Sequence, residues 1–457
     1  MTSHFDSTAA AQFLARAQAS KHLNAFIHVG SDTASISTSP SQPLRGWPLV
    51  VKDNIDVAGM PTTAGSQALK GHLPACSASA IARLQQAGAV VLGKTNLHEF
   101  CFGITSNNAA FGPVRNPYAL DRIAGGSSGG TACAIAAGLA PAGIGSDTGG
   151  SMRIPAALCG VVGFRPTTGR WPSDGVVKIS DIRDTLGPMA HSVADCALID
   201  AVVCNEALEL TAASLKGVRI GVPRRGFWQP LEASMKAAAE AALVTLAAAG
   251  VVLVDCDVGI DDDSCNQAGM VIAFTETFEC LENYLKQHGL PFDPVAITAE
   301  VASPDVRGIF NMLLEARGAS TVTARGASTE TARTAYDLAV QVQRPALQKT
   351  YADCFAKNQI EALTFPTTPL PAALIGEDDT VMFCGAATPT FPIYTRNVGP
   401  GSVAGLPGIS VPMGCNAAGL PLGLALDGPA GSDRRLLAIA IGLQVLMPAM
   451  PKPLASI

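Results

Sequence analysis

Short apolar runs alternate along the chain with longer stretches in which apolar residues recur every three or four positions. The runs Leu23–Val29, Trp47–Val51, Ala89–Leu92, Ala142–Gly145, Val218–Val222, Val251–Asp255, Ala362–Pro366 and Gly408–Pro412 predict strands. The stretches Ser7–Ala19, Ser79–Ala87, Thr131–Gly138, Pro230–Ala249 and Leu436–Val445 predict helices, the first with a serine available as cap and the second capped by Ser79. Residues 261–344 read as helical, with Phe274, Phe278, Phe310 and Met312 on apolar positions. Ser31–Pro43, rich in Ser, Thr and Pro, reads as a surface loop. Helix-then-strand alternation places the chain in the α/β class. No composition shift marks a linker, so a single large domain over 1–457 is expected.

Composition narrows the functional classes. Apolar residues make up 48% of the 457 positions, enough for a sizeable core. The net charge of −6 carries no blocks, which argues against a nucleic-acid or anionic-membrane partner. Ala241–Val254 and Leu436–Met447 fall short of the roughly 18–20 residues that span a bilayer. Met1–Ser20 lacks the pattern of a signal peptide. Twelve cysteines stand singly, with no CxxC pair, which fits reduced thiols and a cytoplasmic location. A hexapeptide, Ala-Arg-Gly-Ala-Ser-Thr, occurs at Ala316 and again at Ala324. Two copies are too few for a solenoid and read as a tolerated duplication in a mobile connection.

Candidate chemistry gathers at three places. Lys52 follows Pro48-Leu49-Val50-Val51, so it ends an apolar strand and points into the interior. A buried lysine without a partner loses its proton easily and can serve as a base. Gly125–Gly130 reads Gly-Gly-Ser-Ser-Gly-Gly, and Gly145–Ser151 reads Gly-Ser-Asp-Thr-Gly-Gly-Ser. Such turns expose serines and let backbone N–H groups converge on one point, as a nucleophile, a relay serine and an oxyanion hole require. None of the seven histidines falls in HExxH or another metal-binding spacing, so neither metal nor cofactor is expected. No GxSxG elbow of the α/β-hydrolase kind is present, while a Ser-His-Asp triad drawn from distant residues stays open.

Lys52, Gly125–Gly130 and Gly145–Gly160 together resemble the amidase signature family of serine hydrolases. The match runs from about Gly46 to Thr168, with echoes at Phe365–Pro369 and Ala404–Pro412. Gly163–Trp171 is similar to the indoleacetamide hydrolase branch. The resemblance implies a single α/β/α domain with a mixed twisted central sheet flanked by helices, a signature core at about 46–168 and a variable specificity region at about 261–344. It implies a Ser–cis-Ser–Lys triad, with Ser151 as nucleophile, Ser127 as the cis-peptide serine and Lys52 as general base. The 24 positions between Ser127 and Ser151 fit it. The N–H groups of Thr148, Gly149, Gly150 and Ser151 would form the oxyanion hole, one such donor being worth about 3 kcal/mol. Ser128, Asp147 and Arg153 would support these residues. A carboxylate beside Lys52 would hold it charged, so Asp147 is expected on Arg153 or backbone and Asp53 is expected to point away.

Phe100–Ile104 resembles a pocket-lining loop of the family, which makes Cys101 and Phe102 candidate wall residues. The implied activity is hydrolysis of small, mainly apolar or aryl amides through an acyl-enzyme, with carbamate (urethane) and ester hydrolysis as extensions, by a monomer or homodimer. Two alternatives are an amidase-like subunit of a tRNA-dependent amidotransferase and an allophanate-type urea-derivative hydrolase. The second would need an arginine for the substrate carboxylate, such as Arg317, Arg325 or Arg396. A third reading, a catalytically dead binding protein, conflicts with the intact Lys52, Ser127 and Ser151. Only 51 residues precede Lys52, which suggests an open cleft suited to bulky amides.

Overall fold

The computed structural model describes residues 7–30, 42–260, 262–322 and 327–455, with side chains 7–9, 262–264, 318–322 and 327–332 outside the description. The expected loop at Ser31–Pro43 therefore lies almost wholly outside the described residues, whereas of the repeat at 316–329 only 323–326 do; the backbone of 316–322 ends helix Pro304–Val322 and that of 327–329 opens helix Ala327–Leu338. Eleven strands form one sheet: β1 (Phe26–Val29), β2 (Pro48–Lys52), β3 (Val90–Thr95), β4 (Ala142–Asp147), β5 (Val162–Arg165), β6 (Thr185–Ala190), β7 (Arg219–Pro223), β8 (Val252–Cys256), β9 (Ala362–Pro366), β10 (Gly408–Cys415) and β11 (Pro421–Asp427). Their order is β1-β3-β2-β4-β6-β5-β10-β11-β9-β7-β8. β3, β2 and β4 run parallel, as do β9, β7 and β8. The remaining neighbours are antiparallel, so the sheet is mixed and the fold is α/β.

That topology sets the site. The parallel strands β2, β3 and β4 deliver Lys52, Thr95 and Asp147 to one edge of the sheet, the carboxyl ends where α/β folds build their sites. Helix Gly129–Ala136 runs back down to feed β4, so its amino end, with Ser127 and Ser128, lies at the same edge. Every residue of that helix is buried, which its glycine and alanine content permits in the tight space between sheet and helix Arg153–Cys159. At Gly130 a Cβ would fall 2.3 Å from the Asn96 carbonyl oxygen, so only glycine fits.

Several boundaries differ from the sequence reading. Lys21–Leu23 is a 3-10 turn and Asn24 is left-handed (φ 53°), so the first strand begins only at Phe26. Ser79 does not cap its helix. It is the first helical residue, and its N–H and hydroxyl both donate to Asp174 Oδ2. Pro230 precedes helix Ala233–Ala248, which Glu232 caps through the N–H groups of Ser234 and Met235. The sequence pattern hides β5, β6 and β11 because glycine and proline interrupt them. In β6, Gly187 lets the chain approach Phe164 O, and Pro188 lies within the strand. The middle region is helical as expected, in helices Asp262–Gln287, Pro294–Glu300, Pro304–Val322 and Ala327–Leu338.

Candidate active site

Lys52 is fully buried at the end of β2. Its ammonium nitrogen lies 2.7 Å from Ser127 Oγ and 2.8 Å from Ser146 Oγ. Among the described residues no carboxylate forms an ion pair with it. Burial pulls its pKa below the ordinary lysine value, and the weaker pull of Cys101 and of the more distant Asp184 and Asp147 does not cancel that. Asn54 Nδ2 donates to the same Ser146 oxygen at 3.3 Å. Ser146 was not singled out from the sequence, although its place beside Asp147 on β4, next to β2, was a usable signal.

The adjacent carboxylates are engaged elsewhere. Asp53 pairs with Lys94 Nζ at 3.1 Å and accepts the Thr63 N–H at 3.0 Å, on the side away from Lys52. Asp147 meets Arg153 Nε at 3.1 Å and Arg165 Nη1 at 3.1 Å, and accepts the N–H of Gly150 at 2.8 Å. Burial alone would raise the Asp147 pKa, but the two guanidinium groups and these hydrogen bonds hold it well below the usual carboxylate range. Gly150 adopts φ +119°, and a Cβ there would strike Val398. Its N–H is turned to Asp147, which corrects the expected set of oxyanion donors: Thr148, Gly149 and Ser151 remain.

The Gly126–Ser127 peptide bond is cis. The Ser127 carbonyl accepts from the His98 N–H at 3.2 Å and from Ser106 Oγ at 3.4 Å. Ser128 is the residue before helix Gly129–Ala136, but its hydroxyl does not cap that helix. It donates to Ser146 O at 3.2 Å, while its N–H donates to Ser151 O at 3.0 Å. The two glycine turns are thus tied together through Ser128. Thr148 is clamped by a segment that the sequence reading did not single out. Its hydroxyl donates to Asp184 Oδ1 at 2.7 Å and its carbonyl accepts from Arg183 Nη2 at 3.0 Å.

Ser151 opens onto a cavity of about 320 Å³, whose wall includes Thr148, Gly149, Cys101 and Phe102. Phe274 also lines it, its ring tilted 35° to that of Phe102 with the centroids 6.4 Å apart. Phe310 backs Phe102 edge-on at 5.9 Å, and Phe278 packs edge-on against Phe310 at 5.5 Å, so these two are core rather than pocket. Met312 is exposed on the surface. Arg317 pairs with Glu282 at the surface, Arg396 donates to Asn397 Oδ1, and Arg325 lies outside the described residues. The arginine on the cavity wall is Arg183, engaged with the Gly269 and Thr148 carbonyls. His98 also lines the cavity and contacts Asp305 Oδ2 at 2.9 Å. Among the described residues no histidine ring bonds the hydroxyl of Ser127 or Ser151, so a Ser-His-Asp triad is not assembled here.

Comparison with known proteins adds to this geometry. A family model described as Amidase matches residues 9–437. The chain is 41% identical over 440 residues to an indoleacetamide hydrolase of Agrobacterium vitis, covering 94% of this chain and 91% of that one. It is 37% identical over 472 residues to a mandelamide hydrolase of Pseudomonas putida, covering 97% and 89%. The crystal structure of a peptide amidase from Stenotrophomonas maltophilia superposes with a TM-score of 0.80 at 29% identity, covering 98% and 95%.

Proposed function

The chain belongs to the amidase signature family, and from that premise we propose that Ser151, Ser127 and Lys52 hydrolyse small, mainly apolar or aryl amides through an acyl-enzyme. The observation that carries this reading is a buried lysine bonded at 2.7 Å to a serine hydroxyl, with the nearby carboxylates paired to other cations. Neutral Lys52 takes the Ser127 proton as Ser127 takes that of Ser151. Ser151 Oγ attacks the amide carbon, and the N–H groups of Thr148, Gly149 and Ser151 receive the negative oxygen. Ser127 then protonates the leaving nitrogen. The amine departs, and water cleaves the ester left on Ser151, with the protons retracing the same path. Asp147, Arg153 and Arg165 keep the second glycine turn in shape without touching substrate.

Phe102 and Phe274 give the cavity an apolar wall that suits an aryl group, the feature that indoleacetamide and mandelamide share. Carbamates and esters present the same carbonyl to Ser151, so they extend the substrate range. A carboxylate-bearing urea derivative is the weaker reading, because neither Arg317 nor Arg396 lines the cavity and Arg183, which does, already donates to the Gly269 and Thr148 carbonyls. The test is a panel of aryl amides, anilides, carbamates and esters assayed on the isolated chain and on Ser151→Ala. Turnover by the isolated chain on a free amide supports the hydrolase over the amidotransferase subunit. Full turnover by Ser151→Ala would overturn the mechanism.

A further inference from the structure

Outside the catalytic cavity, three side chains from distant parts of the chain meet. Asp56 lies four positions past Lys52, His72 follows the short 3-10 turn Gln67–Leu69, and His288 comes just after helix Asp262–Gln287. A carboxylate oxygen and one nitrogen of each imidazole lie within 4.8 Å of one another. None of the three lines the cavity that Ser151 opens onto.

From this grouping we infer that Asp56, His72 and His288 form a binding site for a borderline first-row divalent cation, Zn²⁺ above all, separate from the catalytic residues. His288 Nε2 stands 3.0 Å from Asp56 Oδ2. Two donors bonded to one tetrahedral zinc at about 2.0–2.2 Å stand roughly 3.3 Å apart, so this pair already has the spacing of a coordination edge. Asp56 is buried, and its Oδ2 faces the His288 ring nitrogen while making no hydrogen bond to any other group among the described residues. The other oxygen, Oδ1, accepts the Tyr284 hydroxyl at 2.6 Å, and the same hydroxyl lies 2.8 Å from His72 Nε2. A single phenol therefore orients both the carboxylate and one imidazole, as outer partners of metal ligands do. Two imidazoles and one carboxylate suit zinc, whereas calcium and magnesium call for oxygen donors throughout. His288 is 20% exposed and gives the ion a way in. These ligands are 16 and 216 positions apart, so no close-spaced metal motif in the sequence marks them, and they correct the expectation of no metal only through the fold.

A bound ion would tie the segment after Lys52 to the end of helix Asp262–Gln287, whose earlier turns supply Gly269 and Phe274 to the substrate cavity. The site is independent of the hydrolase reading, because its test reads metal and not turnover. The chelator-dialysed full chain is titrated with ZnCl₂ by calorimetry and with CoCl₂ by visible absorption. The expected result is one saturable ion per chain, a cobalt absorption band with nitrogen-ligand character and a higher melting temperature with Zn²⁺ than with Mg²⁺. His288→Ala and His72→Ala should each abolish that saturable binding, and Tyr284→Phe should weaken it about 10- to 100-fold. Circular dichroism checks folding. His288→Ala, at the most exposed of the three positions, decides the matter should His72→Ala not fold. Absence of saturable binding by the wild-type chain, or binding unchanged in folded His288→Ala, would overturn the proposal.

Discussion

Two lysines lie at the carboxyl ends of adjacent parallel strands, Lys52 as the last residue of β2 and Lys94 as the last but one of β3, and both are fully buried. Lys52 pairs in register with Thr95, and Lys94 pairs with Val51. The one-residue offset sends their side chains to opposite faces of the sheet. On one face Lys52 meets the hydroxyls of Ser127 and Ser146, with the Cys101 thiol beside them and no carboxylate in ion-pair contact. On the other, Lys94 meets the Asp53 carboxylate, the Pro61 carbonyl and the Thr62 hydroxyl. Burial lowers the pKa of both, but only Lys94 has a carboxylate at 3.1 Å to oppose that effect. Equal burial thus yields two different groups. An ion pair holds Lys94 in place as structure, while a set of neutral acceptors leaves Lys52 able to exist without its proton. Asp53, next to Lys52 in sequence, serves the other lysine, and Asp147 is engaged by two arginines. Asp53 and Asp147 are therefore paired to cations other than Lys52.

Substitutions can break this contrast at either end. Lys52→Ala should lower amide turnover the most, by about 100- to 10,000-fold, the usual contribution of a general base, while circular dichroism and thermal melting show a folded chain. Lys94→Ala should do the reverse. It strands the buried Asp53 carboxylate, so it should cost about 3–5 kcal/mol of stability in denaturant unfolding, with turnover per folded molecule far less affected. Ser146→Asp would give Lys52 the kind of partner that Lys94 has. The new carboxylate favours the charged lysine, so neutral-pH turnover should drop about 10- to 1,000-fold, and the activity should recover as pH rises. A Ser146→Ala control separates loss of the hydroxyl from gain of the charge. The smallest effect is expected away from the lysines. Phe102→Ala, which removes cavity wall, should cost aryl amides about 1–3 kcal/mol in kcat/KM relative to acetamide-sized substrates, mostly through KM.

The division between what the sequence shows and what it hides follows the same geometry. Lys52, Ser127 and Ser151 stand in local patterns, a strand end and two glycine turns, and the parallel strand order brings those patterns to one edge. Ser146 was within reach too, since it sits one residue before Asp147 on the strand beside β2. Arg165, Arg183 and Asp184 act on Asp147 and Thr148 from segments whose own patterns carry no sign of that contact. Gly150 stands in the expected oxyanion set through the resemblance to the amidase signature family. Only the rotation of its N–H toward Asp147 removes it. The four apolar residues of the middle helices were indistinguishable by periodicity. Helix packing put Phe274 in the cavity, Phe278 and Phe310 behind it, and Met312 outside.

The claim that Lys52 acts as a neutral base is tested most directly by the pH dependence of kcat/KM for an aryl amide, measured on the wild type and on Ser146→Asp. A base works in its deprotonated form, so activity should be lost as pH falls through the Lys52 pKa and level off above it. Burial places that inflection in the wild type below the ordinary value of 10.5. In Ser146→Asp the inflection should move upward, with the high-pH plateau largely retained. A wild-type profile without such an inflection, or one whose inflection does not move when the carboxylate is introduced, would contradict the account.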